Sequence, residues 1–258
     1  MHQRTIKKEI SLEDVGIHTG SRVKITILPA DTGDGIIFIR GDIGNIRIPA
    51  HHSRVKNTML ATTIIEGEAS VSTVEHLMAT LYSLGIDNVM VKINGPEVPV
   101  IDGSAAPFVH LINSDGIVEA GGKKIAAKIT KEIKVESNDS WAKLEPTQKG
   151  LSIDYTIVYE NPHIGTQHFA FELTPDFFEK EIAPARTFGL LEDVDEMRKK
   201  GLAKGGSLKN AVVIGDEGVL NPEGLRFPGP CRTHPFQCSL YRPRSVHIGS
   251  KTSCSPFP

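Results

Sequence analysis

Along the first third of the chain, hydrophobic residues alternate with polar ones. Val23, Ile25 and Ile27 stand between Arg22, Lys24 and Thr26, the period of two that a half-buried strand shows. Ile36 to Ile39, Ile46-Arg47-Ile48 and the run from Leu60 to Ile65 continue in that style. The period then lengthens. Val74, Leu77, Met78, Leu81 and Leu84 fall at helical spacing and Gly85 closes the segment, as an apolar helix face with a glycine stop requires. Val89 to Ile93 predicts another strand and Asn94-Gly95-Pro96 a turn. Asp102-Gly103-Ser104 opens a second helix carrying Pro107, Phe108, Val109, Leu111 and Ile112, with Asp102 as its expected N-cap.

After Gly121-Gly122 the pattern begins again. Lys128 to Val135, Ala142 to Glu145, Leu151 to Tyr159, His168 to Leu173 and Ala211 to Ile214 predict strands, and Pro175 to Ile182 and Leu191 to Lys200 predict helices. The expectation is an α+β protein of two tandem sheet-plus-two-helix domains, residues 1–122 and 123–227, packed face to face with an active site between them. No sequence repeat proves a duplication. From residue 228 the texture changes. Residues 228–258 hold Cys231, Cys238 and Cys254, the only three cysteines of the chain, and six of its sixteen prolines. They contain none of its 31 acidic residues, and their Leu, Ile and Val are reduced to Leu240, Val246 and Ile248. Such a segment supplies little core. It reads as a disordered tail or as a shifted reading frame that replaced the closing part of the second domain.

Composition narrows the function. The 258 residues carry a net charge of −2, with 39% hydrophobic and 23% charged positions, as in an ordinary globular protein. No basic excess or aromatic platform favours nucleic acid. The start, Met1-His2-Gln3-Arg4-Thr5-Ile6, has no apolar core of a signal peptide, and no run is long enough to span a bilayer. An odd cysteine count without a secretion signal argues against disulfides. The chain is expected in the cytoplasm, with at most transient contact with a membrane surface.

The chemistry centres on Ser72-Thr73-Val74-Glu75-His76-Leu77. One reading is a capping box, Ser72 capping the helix and Glu75 reaching back to it. A hydrophobic staple would then set Val71 against an apolar residue at 76, a place that histidine fills poorly. The other reading makes His76 a metal ligand and Glu75 a general base acting on metal-bound water. An HExxH pattern is absent, because Thr80 stands one turn after His76.

Nine motifs follow in order: Gly16-Ile17-His18-Thr19-Gly20, Asn57-Thr58-Met59-Leu60, Ser72 to Leu77, Gly85-Ile86-Asp87-Asn88, Pro96-Glu97-Val98-Pro99, Asp102 to Phe108, Ala185-Arg186-Thr187-Phe188-Gly189, Gly205-Gly206-Ser207, and Leu220-Asn221 with Gly224-Leu225-Arg226-Phe227. Over residues 1 to about 227 the series resembles the UDP-3-O-acyl-N-acetylglucosamine deacetylases, zinc enzymes of lipid A (lipopolysaccharide) synthesis in Gram-negative bacteria. The resemblance implies a monomeric hydrolase that takes an amphiphilic nucleotide-sugar, with His76 as one of three Zn2+ ligands and Glu75 as general base. It implies that Thr187 stabilises the oxyanion, that Phe188 contacts the sugar, and that His18 and Met59 lie along the substrate cleft. Read from their residue types alone, Thr187 fits a cap, Phe188 and Met59 fit a core, and His18 fits a glycine-flanked turn. Lys204, Lys209 and the Gly205-Gly206 loop suit either a diphosphate or a solvated face.

The family's second histidine ligand and, one turn later, its aspartate ligand follow the Leu-Arg-Phe segment. Here His234 falls at the expected distance from Phe227, Pro235 replaces the family's lysine, and Cys238 replaces the aspartate. A later glycine-histidine segment of the family has no counterpart, and His247 has no matching context. Two readings stay open. His76, His234 and Cys238 form a variant site, residues i and i+4 sharing a helix face and a thiolate serving zinc well. Alternatively the reading frame broke near Pro228 and the product is a catalytically impaired homologue that at most binds nucleotide-sugar.

Overall fold

Val23, Ile25 and Ile27 bury the same face of one strand, and that face seeds the first half of the molecule. The computed structural model describes residues 1–227 apart from 127, 138, 139 and 149, together with the backbone of 246–250. It is an α+β structure. Strand β1 (His2–Ile6) precedes β2 (Ile10–Val15), β3 (Arg22–Pro29), β4 (Ile36–Arg40) and β5 (Ile46–Pro49). A small antiparallel sheet of β6 (Val55–Asn57), β7 (Thr63–Glu66) and β8 (Ala69–Val71) leads into helix α1 (Glu75–Ser83). Strand β9 (Val89–Ile93), helix α2 (Ala106–Asp115) and β10 (Ile117–Lys123) follow, and β10 returns to pair with β1. The main sheet runs β2-β3-β9-β4-β5, with only β4 and β9 parallel. A parallel pair needs a long crossover, and the segment between β4 and β9 contains α1.

The second half repeats the layering. Strands β11 (Ile133–Ser137), β12 (Ser140–Leu144), β13 (Leu151–Val158) and β14 (Thr166–Leu173) precede a single α-turn, α3 (Pro175–Phe177), and a π-helical turn (Phe178–Ile182). Strand β15 (Phe188–Leu190), helix α4 (Leu191–Lys199), β16 (Val212–Gly215) and β17 (Gly218–Val219) complete it. Thr174 caps α3 by accepting from the Phe177 amide, the usual work of an N-cap threonine. The sheet order is β11-β12-β18-β13-β14, where β18 is Val246–Ser250, antiparallel to β12 and parallel to β13. Those five residues lie within the segment expected to lack structure, and the expectation does not hold for them. Ladder hydrogen bonds are made by backbone, so a strand can form where few apolar side chains announce it.

The two cores meet on the helices. Leu77, Leu81, Phe108 and Ile112 belong to the core of the first sheet, while Ala79 from α1, with Ala105 and Val109 at the head of α2, belong to the second core with Ile153, Phe178 and Val212. Small residues there let two packed layers approach. No helix among the described residues is long and apolar enough to cross a membrane. Ala79→Leu is expected to overpack this contact and lower unfolding free energy by about 1–3 kcal/mol, which urea denaturation followed by circular dichroism would measure.

Candidate active site

Of the two readings of Ser72 and Glu75, the capping box does not form, because tertiary partners take its groups. Val74 occupies the N-cap position of α1 with no side-chain cap. Ser72 instead donates its hydroxyl to the Pro96 carbonyl at 3.2 Å, and its backbone pairs with Pro96 and Val98. Glu75, 1% exposed, turns away from its own helix end, and its Oε2 accepts the Thr62 amide at 3.0 Å. A carboxylate in the first turn also lies at the positive end of the helix dipole. His76, 5% exposed, is the next residue of α1. Thr80 donates back to the His76 carbonyl at 2.9 Å, so the position one turn along is occupied with its own backbone.

Thr62 ties a further predicted residue to this pair. Residues 58–62 form the loop that carries Met59, which is 46% exposed with its amide on Asn57 Oδ1. Exposure of Met59 disfavours the core reading of that residue. His18 lies half-buried in the loop between β2 and β3. Its carbonyl accepts the Lys204 amide at 3.1 Å and its Nδ1 faces the Ala203 amide at 3.4 Å. The 16–20 loop therefore touches the 203–205 loop of the second half, and Gly205 donates to the Ile17 carbonyl.

Thr187 is tied to the segment that leads into α2, and Phe188 opens β15. The Thr187 amide donates to the Gly103 carbonyl at 2.8 Å, and its carbonyl accepts from Val212. Gly103, with φ +86°, is obligatory there, since a Cβ would overlap the Asn210 carbonyl. Phe188 packs edge-on against Tyr159 with ring centroids 5.6 Å apart. Asp193, in the first turn of α4, has its carboxyl pushed up by burial and by the nearby Glu196. Arg186 fastens the Thr187 segment. It is buried and donates to the Asp102 carbonyl, the Leu208 carbonyl and Glu223 at 2.8–2.9 Å. No role for Arg186 is legible from its motif, because its partners lie 22 or more residues away.

Asp102 is not the N-cap of α2, which is Ala105. Asp102 accepts the Ser104 amide and hydroxyl and pairs with Arg226 at 2.8 Å. His234 and Cys238 lie outside the described residues. Among the described residues no group of three or more His, Cys, Asp and Glu side chains could hold a metal. A four-coordinate centre needs more than the one imidazole of His76.

The order of motifs on this scaffold has a match. The family model for UDP-3-O-acyl N-acetylglycosamine deacetylases fits residues 3–235. The chain belongs to that family. It is 46% identical over 228 residues to the UDP-3-O-acyl-N-acetylglucosamine deacetylase of Myxococcus xanthus (strain DK1622), covering 88% of this chain and 72% of the relative. The enzymes so named from Citrifermentans bemidjiense (46% over 226 residues; 87% and 74% covered) and Legionella pneumophila strain Corby (45% over 235 residues; 90% and 77% covered) agree. These deacetylases are hydrolytic enzymes, and the family match includes Glu75, His76 and Thr187. It also includes His234 near its end but stops short of Cys238.

Burial pushes the Asp102 carboxyl up, but the Arg226 guanidinium and the Ser104 hydroxyl and amide outweigh burial and hold it below the ordinary carboxylate value. A depressed carboxyl contributes stability above its unfolded pKa, about 3.9 for Asp, and loses it as pH falls through the folded value. Asp102→Asn is expected to lower stability at neutral pH by about 1–3 kcal/mol. The gap to the parent should close as pH falls below about 4, as denaturant titrations at neutral and acid pH would show.

Proposed function

We propose that this chain hydrolyses the acetamide of UDP-3-O-acyl-N-acetylglucosamine, giving UDP-3-O-acyl-glucosamine and acetate, as a step of lipid A synthesis. The observation that carries this reading is the Glu75–His76 pair. Both side chains are buried at the head of α1, and Glu75 is oriented by the Thr62 amide in a chain that matches the deacetylase family along residues 3–235. His76 would hold zinc, with His234 and Cys238 assigned as its further ligands. Zinc, when bound, would polarise the carbonyl and lower the pKa of its water to about 7.

The chain's own groups account for the proton and the charge. Glu75 takes a proton from the attacking water as its oxygen bonds to the acetamide carbon. The Thr187 hydroxyl donates to the oxygen that gains negative charge, a contribution of about 3 kcal/mol in comparable sites. Glu75 then delivers its proton to the sugar nitrogen as the carbon–nitrogen bond breaks, leaving amine and acetate. His18, Met59 and Phe188 would line the path of the nucleotide-sugar and its acyl chain.

A second reading, in which the chain binds nucleotide-sugar without turnover, is favoured by the lack of any Asp or Glu in residues 228–258, which leaves no carboxylate ligand there. One series of measurements separates the two. Glu75→Gln is expected to reduce acetate release by about 100- to 10,000-fold while retaining metal by elemental analysis, and His76→Ala is expected to lose both. A folded parent that carries no metal and releases no acetate, yet binds the substrate in calorimetry, would select the second reading.

A further inference from the structure

Glu97 is fully buried, at 0% exposure, and no step of the proposed chemistry uses it. Its Oε1 accepts the His18 amide at 2.9 Å and the Thr73 hydroxyl at 3.0 Å. Its Oε2 accepts the Thr19 amide at 2.8 Å and the Thr19 hydroxyl at 2.7 Å. All four donors are neutral. Burying a carboxylate among neutral groups is unfavourable unless its acceptor sites are filled, and here each oxygen has two donors. The space is also reserved for it, since a Cβ at Gly16 would overlap the Glu97 carboxylate.

The partners lie on two segments that bear directly on the site. Thr73 stands two residues before Glu75 with φ +57°, a left-handed conformation that a β-branched residue rarely adopts. Ser72, just before it, is pinned by backbone bonds to Pro96 and Val98. The chain thus leaves its pairing with 96–98, turns through Thr73, and enters α1 with Glu75 as the first helical residue. The direction in which Glu75 and His76 project depends on that turn, and the Thr73 side chain is held there by its bond to Glu97. His18 and Thr19 form the tip of the loop that meets residues 203–205.

We propose that Glu97 is the positioning residue of the site. Through Thr73 it sets the head of α1, and through the His18 and Thr19 amides it sets the substrate-side loop in register with it. This rests on the reading of Glu75 and His76 as base and ligand. The test compares Thr73→Val, which keeps shape and loses the hydroxyl, with Thr73→Ser, which keeps the hydroxyl, and with Glu97→Gln. Thr73→Val is expected to lower kcat by about 10- to 100-fold, as misplacement of a reacting group does, with KM within about twofold of the parent. Thr73→Ser should restore kcat to within about threefold, and Glu97→Gln should lower kcat and raise KM together. The ring NMR signals of His18 and His76 provide a readout independent of turnover. Both should shift in Glu97→Gln, only that of His76 in Thr73→Val, and neither in Thr73→Ser. An active parent whose kcat and His76 signal are unchanged in Thr73→Val overturns the positioning role and leaves the catalytic reading intact. So does an equal loss in the serine and valine variants. An inactive parent whose ring signals move in the expected pattern supports the positioning role while sinking the catalytic reading.

Discussion

The hydrogen bond from the Thr62 amide to Glu75 decides what the head of α1 is for. A glutamate in the first turn of a helix commonly serves its own helix, returning to the free amides that no earlier carbonyl satisfies. Here the carboxylate is engaged by a residue from before β7, and the cap position holds Val74 with no side-chain help. The helix start is instead stabilised from outside, by the Ser72 pairing with 96–98 and by the burial of Val74, Leu77 and Met78. That arrangement leaves capping to other groups and keeps both side chains out of bulk water, where electrostatic interactions would be weaker.

The helix that carries this pair, with α2, faces two cores at once. Ala79, Ala105 and Val109 do this by being small on the side facing Phe178 and Val212, while Leu77, Leu81 and Phe108 fill the first core. The Gly103 turn is the polar part of the same contact. It receives the Thr187 amide, and its neighbour Asp102 gathers Arg186 and Arg226. Thr187 is thus fixed to the first half by backbone, and the buried guanidinium of Arg186 fixes its neighbour by side chain.

The legible parts of the sequence are those whose cause is local. The alternation at 23, 25 and 27 reports one buried face of β3, and the spacing of Val74, Leu77, Leu81 and Leu84 reports the face of α1 in the first core, although the helix is buried on its other sides too. The order of short motifs identified the family and nominated Glu75, His76 and Thr187. The two helix-cap readings do not hold. Ser72 and Glu75 form no capping box and Asp102 caps nothing, because Pro96, Thr62 and Arg226 compete successfully from far along the chain. The role of Glu97 within Pro96-Glu97-Val98-Pro99 is not legible locally for the same reason, since its donors come from residues 18, 19 and 73. The helix expected from Pro175 breaks into an α-turn and a π-turn, which apolar spacing does not distinguish from an α-helix.

Two glutamates only 22 positions apart, both buried, invite the question of which one does the chemistry. An ionised carboxylate offers about four acceptor sites. Glu97 has four donors on it, two to each oxygen, so taking a proton from water would mean giving up a bond that holds a loop. The cost would fall on the Thr73 turn or on the 16–20 loop, the segments that aim the site. A base must instead change its protonation state without disturbing what surrounds it. Glu75 is anchored from outside its own helix, its Oε2 accepting the Thr62 amide, and its neighbour on the chain is the candidate ligand His76. On the proposed reading, geometry falls to Glu97, whose four donors hold two loops, and proton transfer to Glu75.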